Sequence, residues 1–179
     1  MIVRRVLFIF GQLSDDDIEW LVTRGERTEI PTGNVLIHEG VHAPNLYFLI
    51  DGRMSVDVGG VGRVANLGRG EVIGEMSFVD SSPPGATVTA REDCLLLGIN
   101  KEEILSHMKQ DSDFASRFYK ALAIFLSNRL RDTTLQMRGE KPADGGDEDD
   151  KEGQLDDMIL KTVHLAAYRF NRLVEKVRG

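Results

Sequence analysis

One segment, Gly70–Ala90, carries the residue types best suited to binding chemistry in this chain. Within it, Gly74 allows the backbone to approach a bound group closely, and Glu75 adds one carboxylate. Consecutive backbone N–H groups at a turn bind anions. Amides that hold a phosphate, next to a carboxylate that accepts a hydroxyl, suit a sugar phosphate. The segment therefore predicts a phosphate-binding site.

The elements around this segment predict a β-rich body. Between about residues 28 and 100, short apolar runs alternate with glycines, and Asp51-Gly52 and Gly59-Gly60 mark turns. Many short strands with close turns favour an antiparallel barrel or jelly roll over a parallel sheet. The predicted strands are 35–37, 46–50, 54–58, 63–67, 86–88 and 94–99.

Helices are predicted on both sides of this body. Ser14 is a plausible N-cap with Asp17 three residues on, which indicates a helix near the N-terminus. A short helix is predicted over 101–108 and a long one over 111–137. The apolar positions of the long helix are Phe114, Phe118, Leu122, Leu126, Leu130 and Met137.

An acidic segment and one further helix follow. Residues 139–153 contain seven acidic residues and two lysines, which is typical of a solvated linker. Beyond it, apolar residues recur at nearly heptad spacing: Leu155, Ile159, Val163, Ala166, Phe170, Leu173 and Val177. The stripe leaves three alternatives open: a coiled coil, docking onto the same chain, or docking onto a partner.

Composition narrows the class of protein. The net charge is −7 and no basic stripe occurs, so a nucleic-acid surface is not expected. Cys94 is the single cysteine and is predicted to be a buried small hydrophobe. No apolar run has the length of a membrane span or of a signal peptide. We therefore expect a soluble cytoplasmic protein.

A zinc-peptidase motif is matched in form only. His38-Glu39-Gly40-Val41-His42 fits His-Glu-x-x-His, which needs a helix to bring both histidines to one face. Gly40 within the motif and Pro44 just after it disfavour a helix. No metal site is predicted here.

Five short motifs, taken together, resemble one known family. They are Pro31-x-Gly33, Glu39-Gly40, Leu46-Tyr47-x-x-x-x-Gly52, Gly70-Glu71-x-x-Gly74-Glu75-Met76 and Ala86-Thr87-Val88-x-Ala90. With a long helix after the strands, residues 7–138 resemble the cyclic nucleotide-binding domain family, which includes catabolite-activator-like regulators and regulatory subunits of cyclic-AMP-dependent kinase. The resemblance implies an α+β fold: an eight-stranded antiparallel β-barrel or jelly roll between an N-terminal helix and a long C-terminal helix. The amphipathic helix over 155–179 is an addition to it.

The resemblance also implies which residues hold a ligand. Glu75 stands at the family's glutamate and would accept the ribose 2′-hydroxyl of cyclic AMP or cyclic GMP, while the N–H groups of Gly85 and Ala86 would hold the cyclic phosphate. An ordinary loop carboxylate that caps nearby amides is the alternative for Glu75. The full predicted set is Gly74, Glu75, Met76, Pro84, Gly85, Ala86, Thr87, Thr133 and Thr134.

The chain departs from the family at the phosphate-binding arginine. Pro84 stands at that position, and proline also lacks an N–H. A charge-assisted hydrogen bond contributes about 1.5–3 kcal/mol, so binding is expected to be weaker by about ten- to several-hundred-fold. Arg91, Arg129 and Arg131 lie on elements that border the pocket in this family, and each is a candidate replacement.

These observations predict a non-enzymatic ligand-sensing module with weakened or altered cyclic nucleotide binding, dimeric through residues 111–137. The alternative is a ligand-free scaffold that keeps the fold and binds a partner through residues 155–177. The predicted organisation is a domain over 1–138, a linker over 139–154 and a helix over 155–179. The last two are too little for a helix-turn-helix domain, so direct DNA binding is not expected.

Overall fold

The computed structural model describes residues 9–138 and 157–179. Five helices and eight strands are labelled here in chain order. The helices are α1 (Asp15–Arg24), α2 (Glu75–Asp80), α3 (Lys101–Gln110), α4 (Ser112–Met137) and α5 (Asp157–Arg178). The strands are β1 (Glu26–Ile30), β2 (Val35–Ile37), β3 (Asn45–Asp51), β4 (Met54–Val58), β5 (Gly62–Leu67), β6 (Val72–Ile73), β7 (Thr87–Ala90) and β8 (Cys94–Asn100). The predicted linker 139–154 lies outside the described residues.

The eight strands form two antiparallel sheets of four. The first sheet has the order β1-β8-β3-β6, and the second has the order β2-β7-β4-β5. Because side chains alternate along a strand, Phe48 of β3 packs into the core shared with the helices, while Leu49 packs into the core between the sheets. Cys94 is 3% exposed and belongs to that second core, as predicted. The fold is the expected jelly roll, made of two sheets.

The capped helix near the N-terminus is confirmed. Ser14 precedes α1 and accepts from the Asp17 N–H, while the Asp17 carboxylate accepts from the Ser14 N–H at 2.7 Å. The same carboxylate holds the Arg117 guanidinium of α4 at 2.7 and 2.9 Å. The cap of α1 thus also fixes α1 against the long helix.

The long helix packs on the body along its first half. Phe114, Phe118 and Leu122 are buried, as their spacing predicts. Further along, Phe125 is buried in place of the predicted Leu126, and Leu130 is 68% exposed. Beyond Phe125 the helix still contacts the body through Arg129, while Leu130 presents an apolar side chain to solvent.

The terminal helix α5 lies on its own chain. Its buried residues are Ala166, Phe170, Leu173, Val174 and Val177, which include the described part of the predicted stripe. The Phe170 ring packs edge-on against Phe10 at a centroid distance of 5.4 Å. Of the three alternatives for this helix, the structure shows docking onto the same chain. The side chains of Leu155, Ile159 and Val163 lie outside the described residues.

Ion pairs also link α5 to the N-terminal part of the chain. Arg169 contacts Asp15 at 2.6 Å, and Arg172 and Lys176 both contact Glu19 of α1. Exposed ion pairs contribute little individually, so the buried apolar residues hold the helix and the charges fix its register. Within the described ranges, no helix combines the length and hydropathy needed to cross a membrane.

Candidate ligand site

The candidate site begins where β6 ends. Gly74 has φ 89° and ψ 11°, a left-handed conformation that directs the chain from β6 into α2. A Cβ at this position would lie 3.2 Å from the Asn45 carbonyl oxygen. Conformation and space both require glycine, and the turn places Glu75 at the first position of α2.

Glu75 is buried and ion-paired with the long helix. Glu75 is 2% exposed, and its carboxylate accepts a hydrogen bond from Nη1 of Arg129. Nη2 of the same guanidinium contacts Glu71 at 3.1 Å, and the cation lies 4.8 Å from the centre of the Phe125 ring. One arginine of α4 therefore joins two buried carboxylates of the candidate site. The described partner of the Glu75 carboxylate is thus a side chain of α4 and not a loop amide.

The three candidate arginines are separated by the structure. Arg91 donates to Ser55 Oγ at 2.8 Å and lies 3.6 Å from Asp57, in a network away from Glu75. Arg131 is exposed. Arg129 alone among the three contacts the carboxylates of the candidate site.

The segment around Pro84 is anchored by its neighbours. The Pro84 carbonyl accepts from the Gly40 N–H at 2.7 Å, and Thr87 Oγ1 accepts from the Glu39 N–H at 3.2 Å. Gly85 is exposed, and a Cβ on it would meet no atom within 4 Å. The open side of this turn is compatible with a bound anion at the amides of Gly85 and the following residue.

Three of the predicted contact residues are exposed to solvent. Met76 is 63% exposed on the outside of α2. Thr133 and Thr134 are exposed, and their hydroxyls donate to the carbonyl oxygens of Arg129 and Leu130 at 2.9 Å. The threonine hydroxyls are thus engaged by their own helix, and their contact with a nucleotide stays a prediction.

Sequence reasoning missed Lys101. This first residue of α3 is 7% exposed, and no hydrogen-bond partner for its Nζ is found in the described structure. Burial lowers the pKa of Lys101, and the negative charges of Glu75 and Asp80 partly oppose that shift. No sequence signal identified this residue, because its proximity to Gly74 arises from the pairing of β8 with β3.

The formal zinc motif lies on an exposed turn between β2 and β3. The Val41 N–H donates to the His38 carbonyl at 3.2 Å, and His38 and His42 are both exposed. The segment is not helical, so the two imidazoles do not share a helix face.

Residues 27–111 match the sequence model of the family described as Cyclic nucleotide-binding domain. This match covers both sheets, the Gly74 turn and the buried Glu75. Together with the two-sheet jelly roll and the long helix behind it, the match identifies residues 27–111 as a cyclic nucleotide-binding domain.

Similar proteins include regulators and an effector. The chain is 34% identical over 119 residues to the Pycsar effector protein XpPycTIR of Xanthomonas perforans, which covers 66% of this chain and 39% of that protein. It is 29% identical over 133 residues to the Cyclic AMP receptor protein of Thermus thermophilus, covering 72% of this chain and 60% of that protein. A solved structure, the c-di-GMP Responsive Global Regulator CLP of Xanthomonas campestris, aligns with a TM-score of 0.61 and 28% identity over 70% of this chain and 63% of that chain. The chain thus spans less than two thirds of the length of each relative.

Proposed function

We propose that the chain is a non-enzymatic regulatory module that senses a cyclic nucleotide through Glu75 and Arg129. The observation that carries this proposal is the contact of the Arg129 guanidinium, on the helix that follows the matched domain, with Glu75 and Glu71 within that domain. Glu75 would accept the ribose 2′-hydroxyl. Arg129 would bind the cyclic phosphate, since guanidinium groups match phosphate oxygens bidentately.

Signal transmission would follow from the position of Arg129 on α4. A ribose hydroxyl competes for the Glu75 carboxylate, and the phosphate offers Arg129 a second anion. Movement of the guanidinium between these anions would shift the long helix that carries it. Such coupling requires that the nucleotide binds the two arrangements with unequal affinity.

Pro84 is expected to make this binding weak or altered. It lacks both the guanidinium and the N–H of the family's arginine, and its carbonyl is engaged by Gly40. The relatives carry different cyclic ligands in their names, cyclic AMP in one and c-di-GMP in another. Cyclic AMP, cyclic GMP and cyclic di-GMP are therefore the ligands to test.

The assembly we propose is a homodimer through residues 111–137. The exposure of Leu130 on the second half of α4 supports it, because a partner helix would cover this side chain. We place the module in the cytoplasm, without direct DNA contact.

A second candidate is a ligand-independent scaffold. It is favoured by the ion-pair network itself, because the Arg129 guanidinium is already paired with the carboxylates of Glu75 and Glu71. A partner of residues 155–177 would meet mostly the polar face of α5, since Phe170 and Leu173 are covered by the same chain.

Isothermal titration calorimetry of the whole chain distinguishes the two candidates. The sensing proposal expects one of the three cyclic nucleotides to bind in the micromolar range, and 5′-AMP to bind more weakly. Absence of binding of all three at millimolar concentration would overturn it. Binding that is absent in the wild type and present in Pro84→Arg would favour the scaffold.

A further inference from the structure

A buried cation next to the candidate site takes no part in the Glu71–Arg129–Glu75 network. Lys101 is 7% exposed, and its Nζ has no hydrogen-bond partner in the described part of the chain. Nζ lies 3.8 Å from the point that a Cβ on Gly74 would occupy. A buried ammonium without an acceptor is unfavourable. Lys101 is therefore a donor that lacks an acceptor, beside the glycine on which the site is built.

The two nearby acids already have other partners. The Glu75 carboxylate accepts from Arg129, and Asp80 Oδ1 accepts from the Ser82 N–H at 2.9 Å. Both acids still act on Lys101 electrostatically and favour its charged form. These charges partly oppose the lowering of the Lys101 pKa by burial. Neither acid accepts a hydrogen bond from Nζ in the described part of the chain.

The turn at Gly74 carries no side chain beside this amine. Any side chain at position 74 would put a Cβ 3.8 Å from Lys101 Nζ and 3.2 Å from the Asn45 carbonyl oxygen. Glycine therefore leaves the ammonium facing bare backbone at this turn. An anionic oxygen would satisfy the ammonium there, with a charge-assisted hydrogen bond.

We propose that Lys101 is a second cation of the ligand site and that its ammonium donates to a phosphate oxygen of the bound nucleotide. This inference rests on the proposed function and adds a residue to it. Lys101 supplies from α3 part of the positive charge that Pro84 does not provide. Its place in the sequence differs from that of the family's arginine, so the phosphate would be held from the side of Gly74.

The test compares Lys101→Met with Lys109→Met, the same substitution at an exposed position of the same helix. Calorimetry uses whichever of cyclic AMP, cyclic GMP and cyclic di-GMP binds the wild type most tightly. Lys101→Met is expected to weaken binding about tenfold to a hundredfold, the effect of one charge-assisted hydrogen bond. Lys109→Met is expected to leave it unchanged, and Lys101→Arg, which keeps the charge, to retain most of the affinity.

A thermal melt without added nucleotide separates this role from a structural one. Lys101→Met is expected to melt at a higher temperature than the wild type, because it removes an unpaired buried charge. A lower melting temperature with unchanged affinity would mark a structural lysine and overturn the inference. If the methionine variant does not fold, Lys101→Gln takes its place in both measurements.

The remaining outcomes are also distinguishable. Wild-type binding that Lys101→Met and Lys101→Gln do not weaken overturns the role of Lys101 and leaves the sensing function standing. Equal losses in Lys101→Arg and Lys101→Met overturn it too, because shape and not charge would then matter. Absence of nucleotide binding by the wild type overturns the proposed function, and the inference with it.

Discussion

The guanidinium of Arg129, near the exposed end of the long helix, contacts the carboxylate of Glu75, which lies 54 residues earlier in the chain. The Glu75 side chain is 3% exposed, and that of Arg129 is 30% exposed. The pair therefore joins a buried acid of the domain to the helix that would carry its signal. The proposed coupling between the domain and the long helix needs both side chains.

Removal of the Arg129 charge should destabilise the protein. In Arg129→Met, the buried carboxylates of Glu75 and Glu71 lose their contacts with the guanidinium, and we expect the free energy of unfolding to fall by about 1–3 kcal/mol. Urea denaturation at pH 7 measures this, with Arg131→Met as the exposed control on the same helix. Equal stability of the two variants would contradict the structural importance of the Arg129 network.

An arginine at the family's position should strengthen nucleotide binding. We expect Pro84→Arg to raise the affinity for cyclic AMP about tenfold to a hundredfold, because a guanidinium adds a charge-assisted contact to the phosphate. Pro83→Arg places the same charge one residue away and is the control. Equal gains in both variants would indicate a general charge effect and no defined phosphate position.

Acid should weaken the cap of α1. Burial alone would raise the pKa of Asp17, but hydrogen bonds from Arg117 and Ser14 and the Arg117 charge outweigh burial and lower it. The folded pKa therefore lies below the unfolded one, so this carboxylate stabilises the fold above the unfolded pKa, and the stabilisation disappears as the pH falls through the folded pKa.

The variant Asp17→Asn tests that reasoning. It should lose about 1–3 kcal/mol of unfolding free energy at pH 7, and the difference from the wild type should shrink below about pH 4. Denaturation at pH 7 and pH 3 measures both, with the exposed Asp16→Asn as control. A difference that is the same at both pH values would show that the ionised carboxylate is not the cause.

The terminal helix should contribute to the stability of the whole chain. Phe170→Ala removes a ring that packs against Phe10 and under Arg69, and should cost about 3–5 kcal/mol. Tyr168→Ala, at a 59% exposed position of the same helix, should cost far less. A thermal melt of both variants tests this. Similar melting temperatures would mean that α5 is not docked in solution.

The apolar strands and capped helices were predictable from sequence, and two strands were not. β4 matches its predicted bounds because its residues alternate between turn signals. β1 (Glu26–Ile30) is mostly exposed at a sheet edge and has no apolar alternation. β6 has only Val72 and Ile73, and exists because Phe48 and Tyr47 of β3 pair with them.

The candidate site was predictable in its turn and not in its charges. The Gly74-Glu75 pair identified the turn in the sequence, because the left-handed backbone conformation at Gly74 favours glycine. Which arginine meets Glu75 depends on the rotation of α4 about its axis, which tertiary packing sets. Lys101 was missed for a similar reason, because only the folded sheet brings it near Gly74.

Ligand binding by Glu75 is tested by substitution of its carboxylate. Calorimetry with the tightest-binding cyclic nucleotide is run on the wild type, Glu75→Gln and Glu103→Gln, an exposed carboxylate of α3. We expect Glu75→Gln to weaken binding by about tenfold or more, and Glu103→Gln to bind like the wild type. Equal affinity of all three proteins would contradict it.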